Sequence, residues 1–136
     1  MITIYNKNSG EILRTCSCPE NQINNQFNDE FESYISGSYS DDKWFISDGE
    51  PKSKGYCPSE NHVFNYQEKS WVENNDVAIN NCVSKRNKLL IESDWTQLPD
   101  VPLAMKQSWA VYRQALRDIT AQESYPFNVI WPTKPE

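Results

Sequence analysis

The sequence predicts an α+β chain, with a small antiparallel, β-rich N-terminal lobe over residues 1–75, then a helical hairpin and an extended Pro-rich tail over residues 76–136. Three observations predict it. Through the front half, short runs of β-branched and aromatic residues alternate with Gly, Asn and Asp turn signals. After Glu73-Asn74-Asn75-Asp76, where Asn or Asp can cap a helix, apolar residues recur at spacings of three and four. Pro126, Pro132 and Pro135 then exclude helix and central strand from a closing stretch that keeps large apolar residues.

The elements follow in order. Ile2 and Ile4 on one side and Ile12 with Arg14 on the other flank Asn6-Lys7-Asn8-Ser9-Gly10, a hairpin with Gly10 at its turn. Residues 19–28 read as a short helix with Ile23 and Phe27 four apart on one side, and the Asn-rich run 21–28 as a surface segment. Residues 31–35, 43–47 and 62–66 are rich in aromatic and β-branched side chains and read as strands, with Asp48-Gly49 and Gln67-Glu68-Lys69 as turns. The lobe is therefore expected to be one small antiparallel sheet.

In the first helix, residues 76–93, Ile79, Val83 and Leu90 share a face, flanked by Ala78, Cys82 and Leu89. The connector Asp94-Trp95-Thr96-Gln97-Leu98-Pro99-Asp100 follows, with Trp95 and Leu98 as apolar anchors. Asp100 or its neighbour is expected to cap the second helix, with Pro102 in the first turn, where a missing N–H costs nothing. Met105, Trp109, Tyr112, Leu116 and Ile119 then form one apolar stripe, with Lys106, Arg113, Arg117 and Asp118 mostly off it. Met105, Trp109, Leu116 and Ile119 are the predicted core of the hairpin. The stretch 125–136 is expected to run extended and to dock in a groove.

The tract Arg86, Leu89, Leu90, then Ser93-Asp94-Trp95-Thr96-Gln97-Leu98-Pro99-Asp100, then Trp109, Tyr112-Arg113, Leu116-Arg117-Asp118-Ile119 and a closing Trp131-Pro132 resembles the bacteriophage tail assembly chaperone family. The layout is similar to the C-terminal part of phage tail fibre assembly proteins, over about the last 50 residues and specific in order and spacing. The front half resembles them only loosely. The resemblance implies a role in phage tail or tail-fibre assembly, with a tail or fibre polypeptide as partner. A protein of this kind acts in the host cytoplasm during assembly or stays in the virion tail, where it would be a fibre-tip, tail or collar subunit.

Composition narrows the remaining classes. With 136 residues the chain suits one compact domain or two small lobes. No apolar run approaches membrane-spanning length, and Met1-Ile2-Thr3-Ile4-Tyr5 lacks the basic start of a signal peptide, so no membrane partner is expected. Residues 1–75 carry six Lys/Arg against twelve Asp/Glu and residues 76–136 seven against seven, so the net charge of −6 sits in the front half. That acidic surface disfavours nucleic acid, whose affinity rests on phosphate contacts.

The chemistry-bearing residues are sparse. Cys16 and Cys18, two apart, with Cys57 and His62, form a weak Cys₃His metal set, outweighed by reduced thiols because structural zinc brings its ligands in tight pairs. His62 is the one histidine, and no Ser or Cys sits in a nucleophile context. Asp41-Asp42 and Asp29-Glu30 lie in polar loops, where a hydrated surface is the simpler reading. The expectation is a non-enzyme without cofactor that works by binding. The candidate partner-binding residues are Trp95, Leu98, Tyr112, Arg113, Phe127 and Trp131. For Trp95 and Trp131, beside prolines and outside the helices, an interface anchor and a staple between hairpin and tail both stand. A homo-oligomer is a further possible partnership.

Overall fold

The computed structural model describes residues 1–136, which fall into two compact units, Met1–Pro58 with His62–Val72 and Ser59–Asn61 with Glu73–Glu136. The division lies slightly before the expected boundary and takes Ser59–Asn61 into the helical unit. Hydrogen bonding explains this: the Asn61 carbonyl accepts from the Asn74 N–H at 2.8 Å, and Asn81 Nδ2 donates to the Glu60 carbonyl and to Asn61 Oδ1.

The first unit is built from three small sheets rather than the single sheet expected. β1 (Ile2–Asn6) is the centre of a three-stranded sheet, antiparallel to both β2 (Ile12–Cys16) and β3 (Glu32–Ser36). Its residues Ile2, Thr3 and Ile4 are all buried. The polar member is satisfied, since Thr3 Oγ1 donates to the Gly37 carbonyl and accepts from the Tyr39 N–H, both at 3.0 Å. Gly10 ends the β1–β2 turn at φ +79, and its carbonyl accepts from the Ile46 N–H at 2.8 Å. β4 (Trp44–Ser47) and β5 (Glu50–Ser53) form a hairpin around Asp48-Gly49, both in the left-handed region, as a two-residue turn requires. β5 was not legible as a strand because it carries Pro51; a two-stranded sheet has only edges, where proline is tolerated. β6 (His62–Asn65) pairs with β7 (Ser70–Glu73), and Asn65 Oδ1 accepts from the N–H groups of Gln67 and Glu68 in the turn between them.

Two further details differ from expectation. Residues 19–28 hold a 3-10 helix at Glu20–Asn25 with no buried residue, too short and too exposed for an α-helix to persist. The third strand begins at Glu32, and Phe31 stays exposed. Between the sheets, the rings of Phe45, Tyr66 and Trp71 each lie within 5.5 Å of Phe64. Beside them Lys54 is buried, donating to the Asp41 main-chain carbonyl, to Asp41 Oδ1 at 3.0 Å and to the Tyr66 hydroxyl at 2.8 Å. The Tyr66 hydroxyl donates in turn to Asp41 Oδ1 at 2.6 Å.

The second unit contains α1 (Asn75–Glu92) and α2 (Leu103–Arg117), which pack on one another and are joined through a 3-10 helix at Asp94–Gln97. Asn74 caps α1, its Oδ1 accepting from the Val77 N–H at 3.0 Å. The buried line of α1 runs through Ala78 and Cys82, the expected flank, while Ile79, Val83 and Leu90 are half-buried. At α2, Pro102 itself is the N-cap in an extended conformation without a side-chain bond, so the expected cap at Asp100 is not formed. A second 3-10 helix, Asp118–Ala121, continues α2 and carries buried Ile119. No helix is long and apolar enough to cross a membrane.

Candidate partner-binding surface

The second unit is held together at the end of α1 by a polar knot that sequence periodicity did not reveal. A helix leaves its last carbonyls without partners, and their partial negative charge favours a cation nearby. Arg113 supplies it. Its Nη1 donates to the Leu90 carbonyl at 2.6 Å and to Ser93 Oγ at 2.8 Å, and its Nη2 donates to Asp94 Oδ1 at 2.7 Å. Ser93 Oγ donates to the Leu89 carbonyl at 2.8 Å, and Thr96 Oγ1 donates to the Ser93 carbonyl at 2.6 Å. Gln97 Nε2 reaches both Thr96 Oγ1 and the Lys106 carbonyl. Ser93, Thr96 and Arg113 are buried by these bonds.

The knot changes the reading of two candidate residues. Arg113, expected to face a partner, is turned inward as the ligand of the α1 terminus. Tyr112 is likewise buried, beside fully buried Leu116 and Ile119, and burial with Glu92 nearby raises the pKa of its phenol. Both serve the interior because the connector folds back over α2 and covers the face from which they project.

The same fold-back leaves other apolar groups outside. Trp95 and Leu98 are each 51% exposed. The Trp95 ring lies 6.0 Å from that of Trp109, which meets Tyr112 edge-on at 5.5 Å. Met105, one turn before Trp109 on α2, is 39% exposed, so it sits on the rim and not in the core as expected. Trp95 and Trp109 thus form an apolar surface, with Met105 one turn away on α2 and Leu98 at the end of the connector. Behind it, Asp94, adjacent to Trp95, is held by Arg113.

The last two candidates lie elsewhere in this unit. Phe127 and Trp131 line a groove of about 270 Å³ together with Glu60, Asn61 and, on α1, Asn81, Cys82 and Lys85. The Lys85 ammonium lies 4.4 Å from the centre of the Trp131 ring, a cation–π distance. Cys82 Sγ is 3.1 Å from the Pro126 carbonyl, and burial raises its pKa, which keeps it the protonated donor. The carboxamide of Gln122 pairs with one main-chain residue, donating to the Ile130 carbonyl and accepting from its N–H, both at 2.8 Å. Lys85 and Gln122 had no distinguishing sequence signal; both are ordinary surface residue types until the chain brings Trp131 and Ile130 to them.

The six candidates therefore separate into an exposed pair, a buried pair and a groove pair. Cys16, Cys18, Cys57 and His62 do not converge either: no three His, Cys, Asp or Glu side chains are placed to hold one metal ion. The Cys18 thiol is pushed up in pKa by desolvation and by Cys16 alongside it, the behaviour of a neighbouring thiol pair.

Knot, apolar surface and groove fall largely within one stretch of sequence. Residues 80–136 match the family model of the phage tail assembly chaperone protein. The matched segment starts within α1 and includes Arg113, Trp95, Leu98 and Trp131, and this similarity supports a role in phage tail assembly. Residues 1–79 lie outside the matched segment. Neither a curated protein nor a solved structure matches the chain.

Proposed function

We propose that this chain is a phage tail or tail-fibre assembly factor that binds a tail or fibre polypeptide and keeps its apolar surface covered until assembly. The observation that carries the reading is the exposed surface of Trp95, Leu98 and Met105 inside the matched segment, mounted on the buried Arg113 knot. Large aromatic side chains at a surface are efficient anchors, because little side-chain entropy is lost when they are covered. Each Å² of apolar area removed from water contributes about 25 cal/mol, so masking needs no nucleotide. Binding, not catalysis, is the chemistry proposed, in the host cytoplasm while the tail is assembled.

Co-expression with the tail-fibre polypeptide of the same phage tests this. The expected result is that the wild-type chain keeps the fibre polypeptide soluble and co-purifies with it, and that Trp95→Ser with Leu98→Ser abolishes both effects. Unchanged fibre solubility and no co-purification would sink the proposal. Presence of the protein at constant copy number in gradient-purified virions would replace it with a permanent tail subunit.

A further inference from the structure

Residues 129–136 run along α1 and form one wall of the groove, and the contacts that hold them there are informative. Residues 129–136 contain neither helix nor strand. The Gln122 carboxamide binds both main-chain groups of Ile130, while the Ile130 side chain is 78% exposed. That contact reads a polypeptide backbone and ignores the side chain it belongs to, as when a peptide is captured along a strand edge. One residue further on, the Trp131 ring lies against the Lys85 ammonium. A cation over an aromatic face selects a large aromatic, tryptophan best of all, without fixing the residues around it. The last contact, Lys134 to Glu92 at 3.7 Å, joins two half-exposed side chains and adds little. The space bounded by Asn81, Cys82, Phe127 and Trp131 stays open beside the segment.

We infer that the α1 side of this groove, together with Gln122 next to it, is a docking site for an extended polypeptide segment of the partner bearing a large aromatic residue, and that residues 129–136 sit on it as a displaceable self-ligand. Recognition has two points: the Gln122 carboxamide takes the backbone and Lys85 takes the aromatic ring one residue later. The built-in segment competes at the high effective concentration of a tethered ligand, of millimolar order, so the groove opens only to a partner that binds more tightly or at several points together. Identifying the partner as a tail or fibre polypeptide rests on the proposed function; the groove and its self-ligand do not.

A fluorescein-labelled peptide with the sequence of residues 128–136, added to the full-length protein, tests the inference by anisotropy. Trp131→Ala should loosen the internal segment and raise the affinity for the peptide at least tenfold over wild type. Adding Gln122→Ala should reverse the gain, and a peptide with Ala in place of its Trp should not bind. No gain in Trp131→Ala, with helical circular dichroism retained, would overturn the inference. If that variant does not fold, amide exchange in the wild-type chain decides. The Ile130 amide should exchange at least 100-fold faster than that of Leu116, and equal protection would mean that the segment is a fixed part of the core. This assay contains no tail protein and the co-expression assay contains no peptide, so either reading can fail alone.

Discussion

Arg113 brings a full charge to the inside of the helical unit, where its contribution depends on the carbonyls and hydroxyl it meets. Removing it takes the shortest of its donors from the Leu90 carbonyl, leaving the Ser93 N–H at 3.2 Å, and takes the guanidinium from the buried Ser93 Oγ. Arg113→Ala should therefore lower the unfolding free energy by roughly 2–3 kcal/mol in urea denaturation, and Arg113→Lys should restore little because an ammonium cannot fork between Leu90, Ser93 and Asp94. A second residue-scale expectation concerns tyrosine. The Tyr66 phenol is raised well above its ordinary pKa, first by burial and then by its hydrogen bond to the Asp41 carboxylate. A folded pKa above the unfolded value of about 10 means that the phenol stabilises the fold fully below that pH. The contribution is lost as pH rises through the folded value. Tyr66 and Tyr112 should ionise above the ordinary phenol range in an alkaline absorbance titration at 295 nm. Tyr66→Phe should remove one late ionisation, and a titration with no late phase would contradict the assigned network.

For the elements, the β1–β2 turn shows how one position joins two sheets. A Cβ at Gly10 would stand 2.0 Å from the Ile46 carbonyl oxygen, and its φ of +79 is one that other residues avoid. Gly10→Ala should cost roughly 1–3 kcal/mol from backbone strain, with the displacement of β4 in addition. Gly49, at φ +76 with nothing near its Cβ position, is the control, since Gly49→Ala should cost only about 1 kcal/mol. Melting temperatures of the two variants make the comparison, and equal losses would mean that the Gly10–Ile46 contact does not matter. In α1 the apolar stripe was legible, yet its buried centre was not. The small residues Ala78 and Cys82 are the buried ones, with Cys82 meeting the Pro126 carbonyl, and the bulkier Ile79 and Val83 are only half-buried.

In the whole molecule, stability and the proposed binding are carried by different side chains. Trp95 and Leu98 are half-exposed while Arg113, Thr96 and Leu116 hold the unit together. Trp95→Ser with Leu98→Ser should then lower the unfolding free energy in urea by only about 0.5–1 kcal/mol while abolishing capture of the tail polypeptide. A loss of stability as large as that of Arg113→Ala would mean that these residues staple the unit and do not serve a partner.

The sequence by itself determined a strand-rich front half followed by two helices, the turns at Gly10 and Asp48-Gly49, an Asn or Asp cap for α1 within residues 73–76, the interior positions Leu116 and Ile119, and the likeness of the last residues to tail assembly chaperones. These are local matters, set by backbone conformation and by the fixed direction in which each Cβ leaves its helix or strand. Only the tertiary structure decided that the front strands form three sheets, that Arg113 and Tyr112 face inward while Met105 faces out, and that Lys85 and Gln122 meet Trp131 and Ile130. The reason is physical: periodicity states which residues share a face, but burial and polar pairing depend on what folds over that face, and here the covering pieces are irregular. The connector 94–102 and the segment 122–136 have no period to read.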